Sequence, residues 1–197
     1  MSVKLEVRCA EARDLEAIKE LVDLTLARDF YSMEALQDML SNERDLLYVV
    51  VDADRDDDVV SYFYAFIAEL DEALRILHVK EKPEALSKYK GNTLVAVYKA
   101  SSTKKEYRKN GICSSFVRDL QPVVRDLGAE LILATAVHPQ GREEPMRHIF
   151  KDTGFQTVAR MYRPWAGIRA YCPYCKQDYC ICDAVFYIKK TKKTEGE

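Results

Sequence analysis

Runs of apolar residues, some alternating with polar residues and some continuous, predict seven β-strands along the chain. The segment 46–51 is continuously apolar, and an acidic turn at 52–58 joins it to a second long apolar strand, as in a hairpin. The predicted strands cover residues 4–9, 46–51, 59–70, 93–100, 129–137, 154–163 and 184–189. We therefore expect a fold built around a β-sheet.

Apolar residues spaced three and four apart predict helices between these strands. Asp14 is placed to cap the first helix, and Ser32 is placed to cap the second. A short helix is also predicted at residues 145–153, just before the sixth strand. Helices that separate strands in this way indicate a fold in which helices pack on a sheet.

Two further helices carry prolines. The charged insertion 71–91 predicts a short helix with Pro83 in its first turn. The longest predicted helix covers residues 112–127 and contains Pro122. Because proline removes one backbone hydrogen bond, we expect this helix to be kinked or divided there.

The basic stretch 103–113 connects the fourth predicted strand to the longest helix. At a helix start the first N–H groups have no internal partner and the dipole end is positive, so a phosphate can bind there. Gly111 would let the backbone approach an anion and adopt a positive φ without a Cβ penalty. Further positive charge is expected from Lys104, Lys105, Arg108 and Lys109.

This loop resembles a known motif. The sequence R-K-N-G-I-C at residues 108–113 is similar to the R/Q-x-x-G-x-G/A acyl-CoA pyrophosphate loop of the GNAT acyltransferase superfamily. Glu106 and Tyr107 match the usual lead-in to that loop, and Cys113 stands where a Gly or Ala is usual. The stretch therefore resembles an acyl-CoA site.

A second motif and the order of elements support the same resemblance. Gly154 and Phe155 follow a short helix, as in the second GNAT motif, and the predicted order β-α-α-β-β-insertion-β-α-β-α-β-β is also similar. The resemblance implies an α/β (α+β) fold with a mixed, mostly antiparallel sheet, one splayed parallel strand pair and helices on both faces. We interpret residues 1–197 as one such domain, with a Cys-rich insertion at 164–183.

The resemblance implies transfer of an acyl group from acetyl-CoA, or a related acyl-CoA, to an amine. In the family the acyl-CoA lies between the two parallel strands, which correspond here to residues 93–103 and 129–137. The residues expected to bind it are Ser101, Ser102, Thr103, Arg108, Lys109, Asn110, Gly111, Ile112, Cys113 and Ser114. The acceptor would be a small molecule or a protein, and a homodimer is left open.

The catalytic groups are less clearly indicated by the resemblance. The usual acid of the family is a Tyr four residues before the Gly of the second motif, where this chain has Phe150. Tyr162 or His148 could donate the proton instead, or the thiolate could leave unaided because its pKa is about 8.5. The candidate bases are Glu69, Asp71 and His138. The last of these ends a parallel strand at its carboxyl edge, where sites in open α/β sheets collect.

Four of the six cysteines lie close together in the pattern C-x2-C-x4-C-x-C. They are Cys172, Cys175, Cys180 and Cys182. In a reducing compartment such a cluster is more often a metal site than a set of disulfides, and four thiolates suit a structural Zn²⁺. An iron–sulfur cluster, redox-active thiols and disulfides remain alternatives.

In a GNAT fold this cysteine-rich loop would join the last two strands, beside the acceptor side of the site. We expect a structural role for it, or a docking surface with Tyr171, Tyr174 and Tyr179 exposed. Together with residues 28–34 and 71–91, the segment 164–182 is expected to line the acceptor pocket. None of these segments carries a motif tied to one substrate class.

Composition excludes some classes of protein. With 48% hydrophobic and 31% charged residues the chain is typical of a globular protein, and a net charge of −2 argues against a general nucleic-acid coat protein. No apolar run approaches the ~20 residues that span a bilayer, and residues 1–9 lack the apolar region of a signal peptide. We therefore expect a cytoplasmic protein that does not bind membranes. A basic tail, expected to be disordered, contains Lys189, Lys190, Lys192 and Lys193.

Three functional hypotheses follow. The first is an active N-acyltransferase. The second is a GNAT-like module without catalysis, consistent with Phe150, that docks a protein or a nucleic acid through the cysteine cluster and the basic tail. The third is a zinc-ribbon-like nucleic-acid binder, against which the net negative charge argues.

Overall fold

A computed structural model describes residues 4–28 and 30–191. Its strands are β1 (Leu5–Cys9), β2 (Asp45–Asp52), β3 (Asp58–Glu69), β4 (Leu94–Thr103), β5 (Leu131–His138), β6 (Gln156–Met161) and β7 (Asp183–Lys190). They form one sheet in the order β1-β2-β3-β4-β5-β7-β6, in which β4 and β5 are parallel and all other neighbours are antiparallel. The predicted mixed sheet is confirmed. Lys189 and Lys190 of the basic tail, which was expected to be disordered, instead end β7, and Lys192 and Lys193 lie outside the described residues.

Helices pack on both faces of this sheet. They are α1 (Leu15–Thr25), α2 (Met33–Ser41), α3 (Leu70–Ile76), α4 (Ile112–Asp126) and α5 (Arg147–Asp152). The buried side chains of α1, α2 and α3 belong to one hydrophobic core, and those of α4 and α5 belong to a second core on the other face. The predicted two-sided arrangement is confirmed. Within the described residues, no helix combines the length and the apolar character needed to cross a membrane.

The composition of β3 explains why the sheet carries two cores. Every residue from 59 to 68 is buried. Tyr62 and Tyr64 belong to the core formed with α1, whereas Phe63 and Ala65 belong to the core formed with α4. Since side chains alternate between the two faces of a strand, a strand that is apolar at every position is suited to a place where helices cover both faces.

The parallel strands β4 and β5 pair over a short distance. Their ladder runs from Val95, opposite Leu131, to Tyr98, opposite Ala134. Beyond this point β4 continues to pair with β3, and β5 continues to pair with β7. Within the described chain, β4 and β5 therefore part and leave backbone groups on their facing edges outside the ladder. The predicted splayed pair is confirmed.

The parting begins at a β-bulge in β4. In the ladder with β3, Ala65 lies opposite Tyr98, but the preceding residue, Tyr64, lies opposite Ala100. Lys99 is thus one extra residue in β4. A bulge bends its strand and increases the local twist. Because Lys99 directly follows the last residue that pairs with β5, we conclude that the bulge turns β4 away from its neighbour.

The helix of the insertion 71–91 lies elsewhere than predicted. Helix α3 begins at Leu70, directly after β3, and Pro83 instead precedes a 3₁₀ turn at Glu84–Leu86. The buried residues of α3 are Leu70, Ala73 and Leu74. Their spacing of three and four is the pattern of an amphipathic helix, which the charged residues between them concealed.

Pro122 lies inside α4 but does not divide it, which corrects half of the prediction. The helix continues from Ile112 to Asp126, and Leu120 and Val124, on either side of the proline, are both buried. Proline removes only one hydrogen bond from the helix interior. Packing of the apolar face of α4 against the sheet holds the helix in one piece.

The two predicted caps have different outcomes. The Ser32 hydroxyl accepts a hydrogen bond from the Ala35 N–H at 3.1 Å, as expected for a cap of α2. Asp14 does not cap α1, because its carboxylate accepts hydrogen bonds from the Arg8 guanidinium at 2.6 and 2.8 Å and from the Glu11 N–H. Burial opposes ionisation of Asp14, but these donors outweigh it and lower its pKa.

Candidate functional site

A cavity of about 250 Å³ lies where β4 and β5 part. Residues 98–101 of β4 and 135–137 of β5 form its two sides. Side chains from both cores and from two loops complete the lining, and they include Phe63, Val117, Phe150, Leu26, Ala27, Phe30, Trp165 and Ile168. The walls of the cavity therefore come from both faces of the sheet.

The lining is mostly apolar and contains one cation among the described residues, Lys99. Burial lowers the pKa of Lys99, whose ammonium group lies 3.4 Å from the Ile76 carbonyl at the end of α3. Of the three segments expected to line an acceptor pocket, the segment 28–34 contributes Phe30 to this cavity, and the cysteine-rich loop lines it as well. The insertion 71–91 contributes no residue to the described lining.

The predicted anion loop lies at one end of this cavity. Gly111 has φ +78° and immediately precedes α4, whose first intrahelical bond runs from the Ser115 N–H to the Gly111 carbonyl at 2.9 Å. The N–H groups of Ile112, Cys113 and Ser114 precede that bond, so they have no partner within the helix. Ser101, which lines the cavity, lies 3.5 Å from the Cys113 sulfur. The start of α4 therefore adjoins the cavity wall at this contact.

Some basic side chains of the loop are already paired with groups of the protein. Lys104 forms a salt bridge with Asp58 at 2.7 Å, so part of the positive charge expected of this loop is already paired. The Arg108 side chain donates to the Thr103 carbonyl at 2.9 Å and so links the loop to the end of β4. Burial raises the pKa of the Cys113 thiol, so this thiol is not activated by its place at the start of α4.

Tyr107 fixes the base of the anion loop. Its buried hydroxyl donates to the Asp52 carboxylate at 2.7 Å, and this hydrogen bond raises the pKa of Tyr107. Asp52 ends β2 and is itself buried. The contact thus joins the loop before α4 to the hairpin between β2 and β3.

We expect Tyr107→Phe to lower the melting temperature by roughly 3–6 °C, because the buried Asp52 oxygen loses its hydroxyl donor. Thermal unfolding followed by circular dichroism measures the change. Tyr162→Phe is the matched control, since Tyr162 is 74% exposed and should not alter the melting temperature. Equal melting temperatures for both variants and the parent chain would contradict this role for Tyr107.

Comparison with solved structures places this geometry among known proteins. Arabidopsis thaliana NAA60 in complex with acetyl-CoA superimposes with a TM-score of 0.70 at 16% identity, over 95% of this chain and 98% of that one. The ribosomal-protein-S18-alanine N-acetyltransferase of Escherichia coli gives 0.64 at 11% identity, over 97% and 96% of the two chains. A GNAT-family protein from Desulfovibrio desulfuricans gives 0.58 at 12% identity, over 97% and 100%.

The chain has the GNAT fold. Neither a protein-family model nor a curated protein matches its sequence. At these identities the structural likeness shows the fold alone, so activity has to be argued from the site. The resemblance found in the loop and in the order of elements is consistent with the fold that the structure shows.

Two candidate catalytic residues lie away from the cavity of this GNAT fold. Glu69 ends β3 opposite Leu94, at the end of β4 that is far from the bulge, and its side chain is exposed. Tyr162 follows the edge strand β6 and is exposed beside Arg163. Neither residue lines the cavity. The structure therefore does not bring Glu69 and Tyr162 to the cavity.

His138 lies at the end of β5, one residue beyond the cavity wall. Its Nε2 lies 2.9 Å from the Arg160 guanidinium, which can only donate, so the imidazole proton lies on Nδ1. Nδ1 is buried and has no hydrogen-bond partner within the described residues. His138 thus keeps one donor available near the site.

A buried carboxyl close to His138 was not predicted. Glu144 is 5% exposed, and it accepts a hydrogen bond of 2.5 Å from the Tyr187 hydroxyl. Burial raises the pKa of Glu144, although its partner Tyr187 and the nearby His138 oppose the shift. No sequence signal pointed to Glu144, because it precedes Pro145 in a segment without periodicity.

Tyr98 places a hydroxyl group in the cavity and is a candidate acid that the sequence did not indicate. It lines the cavity, packs against the rings of Phe63 and Phe155, and has a buried hydroxyl without a partner among the described residues. Burial raises the pKa of Tyr98, so the hydroxyl stays protonated and can donate. Phe150, at the usual position of the family acid, lines the same cavity but offers no polar atom.

The four clustered cysteines come together between β6 and β7. Their Sγ atoms all lie within 4.8 Å of one another, and all four are free thiols. A tetrahedral site with Zn–S bonds of about 2.3 Å would place the sulfurs roughly 3.8 Å apart. The donor set and its spacing therefore fit a metal ion of this kind.

The electrostatics of the cluster favour a cation. Burial and the neighbouring thiols raise the pKa of Cys180 to about 11, and they also raise the pKa of Cys182. Burial also disfavours the thiolate of Cys175, but hydrogen bonds from the Ile181 and Gln177 N–H groups lower its pKa overall. Thiolates packed this closely would repel one another, so all four cysteines can ionise together only if a cation binds between them.

Two of the three tyrosines of this loop are exposed as expected, and the third is not. Tyr171 and Tyr179 are exposed, but Tyr174 is half-buried because its side chain faces the cavity. Cys172 and Cys180 also line the cavity. The predicted position of the loop beside the acceptor side of the GNAT fold is consistent with these contacts.

Proposed function

We propose that this protein transfers an acyl group from acetyl-CoA, or a related acyl-CoA, to the nitrogen of an amine. The observation that carries the proposal is the cavity between the parted strands β4 and β5, whose lining residue Ser101 contacts Cys113 in the first turn of the glycine-preceded helix α4. The parted edges can bind an extended pantetheine through backbone groups. The helix start can bind the pyrophosphate.

Each part of the acyl-CoA has a candidate site. Residues 108–114 would bind the pyrophosphate through the free N–H groups of α4 and the positive charges of Arg108 and Lys109. The backbone of residues 101–103 would bind the pantetheine, since this edge of β4 no longer pairs with β5. The thioester would then reach the apolar cavity.

The reaction needs few groups from the protein. The neutral amine attacks the thioester carbonyl, the C–N bond forms, the C–S bond breaks, and the sulfur leaves with a proton while the nitrogen loses one. Tyr98 is suited to donate a hydrogen bond to the developing negative charge. Glu144, in the segment after β5, is the candidate to receive the amine proton, because its buried Oε1 has no partner among the described residues, whereas His138 offers only an N–H donor.

The acceptor is proposed to carry an apolar group beside its amine. The wall that the two loops contribute to the cavity includes apolar side chains such as Phe30, Trp165 and Ile168. One structural neighbour, NatC, is bound to Gag peptide and CoA, and NAA60 is bound to a bisubstrate analogue. Peptides with an apolar first residue are therefore the first acceptors to test, followed by small amines.

We expect Gly111→Val to weaken binding of acetyl-CoA by at least roughly 100-fold, or about 2.8 kcal/mol. At φ +78° a β-branched residue is strained, and relaxing that strain moves the N–H groups that would bind the pyrophosphate. Isothermal titration calorimetry measures the affinity directly.

Gly141→Val is the matched control for this experiment. Gly141 also has a positive φ, of +68°, and no atom lies within 4 Å of a Cβ built there, but it belongs to the loop after β5. It should carry similar backbone strain and bind acetyl-CoA normally. Unchanged affinity in Gly111→Val would overturn the site. Tight binding without acyl transfer to any peptide or amine would favour the module without catalysis.

We also propose that Cys172, Cys175, Cys180 and Cys182 hold one structural Zn²⁺. Support comes from four free sulfurs that all lie within 4.8 Å of one another. When bound, the metal would neutralise the thiolates and stabilise a loop with little core of its own. A reducing compartment such as the cytoplasm, where thiols remain available, fits this proposal.

A further inference from the structure

The cysteine-rich loop forms one wall of the cavity. Trp165, Ile168, Ala170, Cys172, Tyr174 and Cys180 all line it. Two of these six are members of the proposed metal site. The loop is therefore in direct contact with the space where acceptor and acyl group would meet, and it is more than a brace for the last two strands.

The loop's own backbone interactions join its two arms to each other. One isolated bridge joins Arg169 and Tyr179, and two further backbone hydrogen bonds of 2.9 Å cross the loop beside it. Cys172, Cys180 and Cys182 form a separate small cluster of buried residues, against which Val137 and Trp165 pack. The packing of the wall against β5 therefore runs through the sulfur cluster.

Packing also connects the sulfur cluster to the sheet. Val137 belongs to β5, lines the cavity and contacts the cluster, and the Gln140 side chain donates to the Ile181 carbonyl at 3.4 Å. A metal ion that draws the four sulfurs together would fix Trp165 and Tyr174 against β5. Without the ion the sulfurs are no longer drawn together, and solvation of the loop would release these side chains.

We propose that a metal ion with a preference for sulfur, bound by the four cysteines, forms the acceptor end of the cavity by fixing this wall. This inference rests on the proposed function, because only an acyl-transfer reaction makes this part of the cavity the place where an acceptor binds. Loss of the metal is therefore expected to affect one part of the cavity and not the other. Loss of the metal should spare acetyl-CoA binding at the anion loop, which lies on α4, and should disrupt the part of the cavity lined by Trp165.

Trp165 is the single tryptophan of the chain, so its fluorescence reports on this wall alone. The full-length protein is reduced, stripped of metal with a chelator, and titrated with Zn²⁺. We expect the emission to shift to shorter wavelength, and quenching by acrylamide to fall by about threefold, at one equivalent of Zn²⁺ because the side chain is fixed against β5. Calorimetry with acetyl-CoA, on stripped and loaded protein, should give affinities within about twofold of each other.

A second signal tests whether the wall faces the bound acyl group. Acetyl-CoA should change the Trp165 emission in the loaded protein but not in the stripped protein. Cys180→Ser should behave as the stripped protein does, and Cys9→Ser should behave as the parent does, since Cys9 is exposed and far outside the cluster. Chelation of the parent chain gives the same comparison if Cys180→Ser does not fold.

The outcomes separate the two proposals. Acrylamide quenching that does not change with Zn²⁺, or a Trp165 response to acetyl-CoA that is equal with and without metal, overturns the wall. So does the absence of any response in loaded protein that binds acetyl-CoA by calorimetry. If calorimetry detects no acetyl-CoA binding in either state, the proposed function fails, and the acrylamide measurement alone decides whether the metal fixes the wall.

Discussion

Replacing Tyr98 with phenylalanine is expected to lower the turnover of acyl transfer by roughly 100-fold, the size of effect typical for a lost proton donor. The hydroxyl lines the cavity, has no partner among the described residues and remains protonated because burial raises its pKa. Stability should be unchanged or slightly higher, since the variant removes a buried polar atom without a hydrogen bond. Steady-state kinetics and thermal unfolding together measure both effects.

Tyr62→Phe is the control for this experiment. The Tyr62 hydroxyl is also buried and without a partner among the described residues, but it lies in the core formed with α1 and does not line the cavity. Its removal should leave turnover unchanged. Equal activity in Tyr98→Phe and the parent would show that the departing thiolate needs no help from Tyr98, and equal losses in both variants would indicate a general packing effect.

Cys182→Ser is expected to abolish binding of the metal and to lower the melting temperature by roughly 10 °C. Cys182 is fully buried, so a serine there offers a weak ligand in a place that water does not reach. The lost binding free energy is lost stability, because the unfolded chain has no preformed site. Elemental analysis of protein purified without added metal, together with thermal unfolding, tests both statements.

The parent chain should contain close to one equivalent of zinc, and chelation should lower its melting temperature to that of Cys182→Ser. Cys9→Ser should match the parent in metal content and stability, because Cys9 lies in β1 outside the cluster. Less than about a tenth of an equivalent of zinc in the parent, with four freely titrating thiols, would contradict the metal site. Iron in place of zinc would point to the iron–sulfur alternative.

The strands and most helices could be predicted because their periodicity reflects burial directly. β3 is apolar at nearly every position since both of its faces are covered. Ser32 marks the start of α2 because its hydroxyl accepts a hydrogen bond from the Ala35 N–H. Asp14 gave the same signal for α1, but its carboxylate binds Arg8 on a neighbouring strand. A cap depends on local neighbours, whereas an ion pair depends on tertiary contacts that periodicity does not contain.

The site was predictable where its residues are consecutive and not where they converge from different elements. The anion loop is one stretch of chain, and Gly111 has the positive φ that the motif implied. Catalytic candidates were chosen by residue type, and the structure places Glu69 and Tyr162 away from the cavity. Tyr98 and Glu144 are identified by burial and by missing or unusual partners, which only the three-dimensional structure provides.

The bulge at Lys99 has a consequence for how far such sequences can diverge. The opening between β4 and β5 begins at one extra residue in β4 relative to β3. The opening therefore depends on the number of residues in β4 and not on which side chain occupies that position. Deleting Lys99 would restore a regular ladder and let the two strands close, whereas many substitutions there would leave the opening intact. Insertions and deletions in β4 are therefore under stronger constraint than residue identities, and a chain can retain this cleft while little of its sequence resembles that of another chain with the same fold.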